Sequence, residues 1–139
     1  MAKSTKFIDN SKAVKAALKQ QQLSWLEMAS IIIEGKAVAL CVVDTKYLRD
    51  SIDHQVSEKE MIAYIGTPAE YAVYIEFGTG EFAENGNGRK GGWVYKTPSG
   101  QVFFTYGQRP KPFLRPAFKD SNDQIKKLLE DLLRELNHK

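Results

Sequence analysis

The chain carries, at residues 70–80, the stretch Glu70-Tyr71-Ala72-Val73-Tyr74-Ile75-Glu76-Phe77-Gly78-Thr79-Gly80. Its apolar residues recur at mostly helical spacing, which predicts a short helix with Tyr71, Tyr74 and Phe77 on its buried face. Gly78 is expected to end this helix, because glycine adopts the left-handed conformation at little cost. The stretch therefore predicts a helix with an abrupt end.

Glu76 stands beside these aromatic residues, so we expect its carboxylate to be half buried and to need a hydrogen-bond donor. Arg49 and Arg115 are the two candidate donors.

Residues 108–116 hold three of the five prolines, which favour an extended backbone before the last helix. Within them, a short motif is expected to set the angle at which that helix begins, with Phe113 and Leu114 as anchors. The motif reads Pro112-Phe113-Leu114-Arg115-Pro116.

Two long amphipathic helices are predicted, one at each end of the chain. The first runs from about Ser11 to the high thirties and contains Gly35, a residue that weakens a helix. Its apolar stripe consists of Val14, Leu18, Trp25, Met28 and Ile32. The apolar stripe of the last helix consists of Phe118, Ile125, Leu128, Leu129, Leu132 and Leu136.

Shorter elements are predicted between the two helices. Lys46–Ser51 is expected to form one helical turn with Asp44 or Thr45 as its cap. This turn is expected to place Leu48 and Ile52 in the core. Alternating patterns predict two pairs of strands, at Ile52–Ser57 with Met61–Gly66 and at Trp93–Thr97 with Gln101–Thr105. The predicted fold class is α+β, with the N-terminal and C-terminal helices packed on a small antiparallel sheet.

A glycine-rich loop is expected at residues 78–92, which contain six of the ten glycines. Glycine loses much conformational freedom on ordering, so this loop is predicted to be flexible until a partner binds it. Phe82 would be an apolar anchor, and Arg89 with Lys90 would form a charged tip that contacts the partner.

Length and composition limit the class of protein. The 139 residues fit a single domain, 1–139, and the chain has a net charge of +3. No apolar run reaches the ~20 residues of a membrane span. We expect no secretory signal, because no apolar stretch follows the first lysines. Cys41 is the only cysteine, which excludes an internal disulfide and fits a reducing cytoplasm.

Charge is unevenly distributed along the chain. Residues 42–77 carry seven acidic and three basic side chains, a balance of −4, whereas residues 78–118 carry six basic and two acidic side chains, a balance of +4. Such alternation favours complementary protein surfaces at least as well as a track for phosphates.

The sequence shows no constellation typical of catalysis. His54 and His138 have no neighbours at the spacing of a zinc site, so His54 is expected to be an ordinary strand residue. Cys41 lacks an evident histidine base and is expected to be a small apolar core residue. The glycines do not form a phosphate-binding motif. We therefore predict no enzyme activity, no catalytic residues, no cofactor and no metal.

Basic and aromatic residues alternate between Arg89 and Arg115, and this pattern leaves two interpretations open. It can form a stacking surface for single-stranded nucleic acid, which is the alternative function. The pattern agrees better with the second interpretation, a hairpin whose apolar side covers the core and whose basic side faces water.

Three stretches together resemble the phage morphogenesis family of head–tail joining, or tail-completion, proteins of long-tailed phages. The first is residues 43–52, Val-Asp-Thr-Lys-Tyr-Leu-Arg-Asp-Ser-Ile; the second is 65–67 with 70–80; the third is 109–118, Arg-Pro-Lys-Pro-Phe-Leu-Arg-Pro-Ala-Phe. The chain departs from the family at Lys46, where glycine is usual, and at Cys41-Val42, where Ala-Pro is usual.

The resemblance implies a structural virion protein of the phage neck. Its expected partners are other neck and tail proteins, namely a head-side connector or stopper and a tail terminator. It is expected to form a homo-oligomeric ring, through which phage DNA passes without sequence-specific binding. The expected location is the host bacterial cytoplasm during assembly and then the virion. The structural motif consists of Asp44, Thr45, Leu48, Arg49, Tyr71, Tyr74, Glu76, Phe77, Gly78, Pro112, Phe113, Leu114, Arg115 and Pro116.

Overall fold

The computed structural model of the chain describes residues 9–42 and 46–137. Its elements, in chain order, are α1 (Ser11–Leu40), α2 (Lys46–Ser51), β1 (Asp53–Ser57), β2 (Ile62–Gly66), α3 (Ala72–Phe77), a 3₁₀ turn (Gly80–Phe82), β3 (Trp93–Lys96), β4 (Val102–Thr105) and α4 (Leu114–Asn137). The α+β class and the two long terminal helices are confirmed. The proposed caps Asp44 and Thr45 lie outside the described residues.

The strands form two separate antiparallel hairpins rather than one sheet. In the first hairpin, Asp53 pairs with Gly66 and Ser57 with Ile62, and both strands pack against α1. In the second, Trp93 pairs with Thr105 and Lys96 with Val102. Neither β3 nor β4 packs extensively on any other described helix or strand. The second hairpin is therefore an extension from the body of the protein.

Helix α1 begins and ends where the sequence predicts, but its buried face is only partly the predicted one. Ala29, Ile33 and Ala37 are buried at four-residue spacing, and this row continues into Cys41. Met28 lies one position off the row and is exposed, because one residue turns a helix by about 100°. Val14 is also exposed, as is every other residue from 11 to 17. The expectation that Val14 and Met28 would be buried is therefore wrong.

The core lies where α1, α2, α3 and the start of α4 meet. Phe113 and Leu48 are fully buried there, and Ile52 and Ile75 are nearly so. Cys41 is buried in the same cluster. Three residues that the sequence predicts as core, Leu48, Ile52 and Cys41, thus lie in it.

Helix α4 packs along α1. The Trp25 indole Nε1–H donates to the Ile125 carbonyl oxygen at 2.9 Å, and Lys36 Nζ donates to the Asp120 carbonyl oxygen at 2.8 Å. The predicted leucines of α4 are partly buried. Phe118 is exposed, contrary to the prediction, because the small residues Ala117 and Ser121 occupy the buried face of the first turns.

Gly78 ends α3, as the sequence predicts. Its N–H donates to the Tyr74 carbonyl oxygen at 2.8 Å, and its φ of 80° with ψ of 173° is a conformation that glycine alone adopts readily. A Cβ atom here would lie 2.8 Å from the Phe82 carbonyl oxygen and 2.8 Å from the Pro110 ring. The chain therefore reverses at Gly78 against two other segments with no room for a side chain.

We predict that Gly78→Ala lowers the free energy of unfolding by about 2–4 kcal/mol, through backbone strain and overpacking together. The matched control is Gly35→Ala, because Gly35 lies in the interior of α1 and a Cβ atom added there would meet nothing within 4 Å. That change should stabilise the protein by about 0.5–1 kcal/mol. Urea denaturation measures both, and equal small effects would contradict this account of Gly78.

Candidate functional site

Glu76 connects the short helix α3 to the start of α4. The backbone N–H groups of Phe113, Leu114 and Arg115 donate to its carboxylate at 2.8, 3.1 and 2.9 Å. The first N–H groups of any helix have no acceptor within the helix, so an external carboxylate can cap them. Glu76 is only 4% exposed. A buried charge thus fixes where α4 begins.

The pKa of Glu76 reflects two opposing causes. Burial alone would raise the pKa of this carboxyl, but hydrogen bonds from the backbone of Phe113, Arg115 and Leu114 and from the Arg115 side chain outweigh it. The net result is a pKa below the usual value. Glu76 is therefore ionised when the protein is folded at neutral pH.

Arg115 is the side-chain donor to Glu76, which settles the choice between Arg49 and Arg115. Its Nε donates to Glu76 at 3.0 Å, and its Nη1 and Nη2 donate to the two carboxylate oxygens of Glu84 at 2.8 and 3.1 Å. The guanidinium also lies over the Phe77 ring, 4.4 Å from the centroid. Arg115 therefore joins α3, α4 and the glycine-rich segment.

The sequence does not reveal Glu84 as a partner of Arg115. Glu84 stands within the glycine-rich segment, 31 residues before Arg115, and nothing in that spacing predicts an ion pair. Arg49, in contrast, makes no ion pair among residues 9–42 and 46–137.

The glycine-rich segment lies against the residues that follow β4. Thr79 N–H donates to the Gln108 carbonyl oxygen and Glu81 N–H to the Tyr106 carbonyl oxygen, both at 2.9 Å. A 3₁₀ turn at Gly80–Phe82 is an element that the sequence does not predict. The flexibility expected for residues 78–92 stays a prediction.

The predicted contact residues of this segment differ in their surroundings. The Arg109 guanidinium lies over the Phe82 ring at 4.9 Å, and Phe82 is partly buried. Arg89 lies over Trp93 at 5.6 Å. Lys90 is exposed and makes no hydrogen bond or ion pair within the described part of the chain. Lys90 is therefore more accessible than Phe82.

The β3–β4 hairpin exposes its large apolar side chains. Six of them are 44–63% exposed: Val94, Tyr95, Val102, Phe103, Phe104 and Tyr106. Tyr95 stacks on Phe103 with ring centroids 5.7 Å apart, and Phe104 meets Tyr106 edge-on at 5.0 Å. The expectation that one side of this hairpin covers the core is wrong, because both sides face solvent.

The aromatic residues of α3 are also exposed, contrary to the prediction. Tyr71, Tyr74 and Phe77 are 37%, 57% and 42% exposed. The six-residue helix turns Ala72, Ile75 and Glu76 towards the core instead, so smaller and charged side chains take the places expected for the rings.

The proline-bounded motif, residues 112–116, leads into α4, and its effect on the angle of that helix stays a prediction. Phe113 is fully buried and Leu114 is partly buried, whereas Pro112 is exposed and Pro116 is partly buried. Phe113 is therefore the main apolar anchor of the motif.

His54 lies between two carboxylates of α1, an arrangement that the sequence does not reveal. Its Nε2 lies 2.6 Å from Glu27 Oε1, and its Nδ1 contacts Glu34 Oε2. Hydrogen bonds to Glu34 and then to Glu27 raise the pKa of His54 above its usual value of 6.5. The signal available in the sequence is that Glu27 and Glu34 are seven residues apart, which places them on one face of α1.

The residues around His54 include a group of potential metal ligands. Donor atoms of Glu34, Asp53 and His54 lie within 4.8 Å of one another, and carboxylate with imidazole is a donor set that divalent metals accept. Both ring nitrogens of His54 already face a carboxylate, however, so a protonated imidazole with two ion pairs accounts for the arrangement.

Comparison with known proteins identified a family. The sequence profile of the HK97-gp10-like family, described as "Bacteriophage HK97-gp10, putative tail-component", matches residues 5–78. This range covers just over half of the chain and includes the first motif and the second as far as residue 78, whereas the motif at 109–118 lies outside it. No curated protein and no solved structure matches. Among the described residues, no helix is both long and apolar enough to cross a membrane.

We predict that Glu76→Gln lowers the free energy of unfolding by about 3–5 kcal/mol, because it removes the charged acceptor of a buried network. The control is Glu70→Gln, since Glu70 is exposed and makes no hydrogen bond or ion pair among the described residues. The loss should be present above about pH 4.5 and disappear as the pH falls through the lowered pKa of Glu76. Equal stabilities of the two variants at neutral pH would refute the cap.

We also predict a pH-dependent contribution from His54. Because its pKa is raised in the folded state, its stabilising effect is full below pH 6.5 and is lost as the pH rises through the folded-state pKa. The parent should therefore exceed His54→Gln in stability most at acidic pH, with the difference shrinking at alkaline pH. Denaturation of both proteins from about pH 5 to about pH 9 tests this, and a difference independent of pH would contradict it.

Proposed function

Because this chain belongs to the HK97-gp10-like family of phage tail components, we propose that it is a structural subunit of the phage neck that joins head to tail. It acts by binding other virion proteins and not by catalysis. Its partners are a head-side connector or stopper and a tail terminator, and its copies form a ring through which DNA passes without sequence-specific binding. It assembles in the host bacterial cytoplasm and remains in the virion.

The observation that carries this proposal is the exposed apolar surface of the β3–β4 hairpin. Large apolar side chains on a soluble protein are unfavourable in water, and a contiguous set of them marks a surface for another protein. The hairpin extends from the body, and its exposed aromatic side chains take no part in the hydrophobic core of the described residues. A virion subunit needs such a surface.

The glycine-rich segment at 78–92 is the second part of the proposed contact surface. It lies at the base of the hairpin, where Lys90 is exposed and Phe82 supports Arg109. The pairing of Glu84 with Arg115 ties this segment to α4, so its position depends on the buried Glu76 network. We propose that Arg89 and Lys90 contact an acidic surface of a neck partner, with Phe82 as an internal anchor.

We predict that the double variant Val94→Ser/Phe104→Ser folds normally but fails to join heads to tails. The two residues pair across the strands, and both are exposed. If each is an interface anchor worth about 2 kcal/mol, their joint loss weakens the contact roughly a thousandfold. The test is complementation of the encoding phage after deletion of this gene, scored by infectious titre and by electron microscopy for separate heads and tails.

The matched control is Val14→Ser/Ile31→Ser, which changes two exposed apolar residues of α1. It should restore titre, and both variants should melt at the temperature of the parent. Full titres of tailed particles from the hairpin variant would refute the proposed role of the hairpin. Normal joining by a phage that lacks the gene entirely would refute the neck function itself.

A further inference from the structure

The two chain segments that lead into and out of the β3–β4 hairpin are bonded to each other at its base. The Thr79 N–H donates to the Gln108 carbonyl oxygen, and the Gln108 N–H donates back to the Thr79 hydroxyl oxygen, both at 2.9 Å. The Glu81 N–H donates to the Tyr106 carbonyl oxygen, also at 2.9 Å. We call residues 79–81 with 106–108 the clasp. It lies immediately below the hairpin, because residue 106 directly follows β4.

Two glycines allow the segments of the clasp to approach this closely. A Cβ atom on Gly80 would overlap the Tyr106 carbonyl oxygen, and a Cβ atom on Gly107 would overlap the Thr79 carbonyl oxygen. Gly80 and Gly107 also have left-handed backbone conformations, with φ of 61° and 117°. A larger residue at either position would therefore push the segments apart and strain the backbone.

The rest of the glycine-rich segment folds back onto the clasp. A Cβ atom on Gly88 would overlap the backbone of the clasp, and the Gly91 N–H donates to Glu81 Oε1 at 3.2 Å. The Glu84 N–H donates to the carbonyl oxygen of Phe77 on α3 at 3.0 Å. The segment that precedes β3 is therefore attached both to the clasp and to α3.

The segment that follows β4 is tied to the body of the protein as well. The Lys111 N–H donates to the carbonyl oxygen of Ile75 on α3 at 2.8 Å. The Arg109 guanidinium lies over the Phe82 ring, 4.9 Å from its centroid. A swing of the hairpin about its base would break the hydrogen bonds that join these segments.

We propose that the clasp holds the β3–β4 hairpin in one orientation in the free protein, with Gly80 and Gly107 as positioning residues. The proposal rests on the proposed function of the hairpin and specifies how its surface is presented to a partner. It is the opposite of the flexibility that the glycine content of residues 78–92 predicts, because these glycines provide close contact. A surface that is already ordered avoids the loss of conformational entropy on binding.

The first test is NMR of the full chain with no partner present. Protection from hydrogen exchange should be about a hundredfold or more higher for the amides of Thr79, Glu81 and Gln108 than for that of Lys90. The Lys90 N–H donates no hydrogen bond in the described part of the chain. Residual dipolar couplings of the hairpin and of α1 with α4 should fit one alignment tensor. Unprotected clasp amides, or hairpin couplings averaged towards zero, would overturn the proposal.

The second test is Gly107→Ala, which adds a methyl group where the clasp has no room. Protection of the clasp amides should fall about tenfold or more and the hairpin couplings should shrink, while those of α1 and α4 keep their parental fit. The matched control is Gly86→Ala, because Gly86 also has a left-handed φ, 73°, but a Cβ atom there would meet nothing within 4 Å. It should leave the clasp amides and the hairpin couplings unchanged, and equal effects of the two variants would contradict the clasp.

A milder variant keeps the proposal falsifiable if Gly107→Ala does not fold. Thr79→Val removes the hydroxyl that accepts from the Gln108 N–H and adds no volume. Protection of the Gln108 amide should fall about tenfold, whereas the amides between β1 and β2 should keep their protection. An unchanged Gln108 amide would count against the clasp.

Complementation of the phage separates failure of the clasp from failure of the neck function. Gly107→Ala should lower the infectious titre about tenfold or more although Val94 and Phe104 are intact, and Gly86→Ala should restore it. Full titre from a Gly107→Ala protein with a mobile hairpin would refute the positioning role. If the parent hairpin is mobile but Val94→Ser/Phe104→Ser fails to join heads to tails, the clasp is refuted and the neck function stands. If the clasp is protected but a phage without the gene joins normally, the neck function is refuted and the clasp stands.

Discussion

The carboxylate of Glu76 is the group on which the arrangement of the chain depends. Three backbone N–H groups at the start of α4 and the side chain of Arg115 converge on it in a buried site. A buried charge is tolerated only when its hydrogen-bonding capacity is filled, so the position of α3 fixes that of α4. The interaction joins the part of the chain that matches the family profile, which ends at residue 78, to the C-terminal part that lies outside it.

The surfaces proposed for assembly follow from this arrangement. Arg115 extends from the buried carboxylate to Glu84 and so holds the glycine-rich segment against α4. Gly78 reverses the chain just after α3 in a place with no room for a side chain, and the hairpin projects from the same region. A charged, hydrogen-bonded network therefore lies at the base of an exposed aromatic hairpin. This arrangement agrees with the proposed function, in which the exposed hairpin binds another virion protein.

Local patterns in the sequence predict most of the elements, because helical and alternating periodicities depend on nearby residues. They predict α1, the first hairpin and the end of α3 at Gly78. They do not predict which side of an element is buried: Tyr71, Tyr74 and the hairpin rings are exposed because no other described element covers them. They also miss Glu84 with Arg115 and His54 with Glu34, since ion pairs between distant residues leave no periodic signal.

The central claim is that this chain is a neck subunit whose exposed hairpin is covered in the assembled particle. Electron cryomicroscopy of the encoding phage, with the region between head and tail reconstructed at side-chain resolution, measures this most directly. The account predicts copies of this fold around the DNA channel, with Val94 and Phe104 buried against a neighbouring chain. Density without this fold between head and tail, or with its hairpins pointing into solvent, would contradict it.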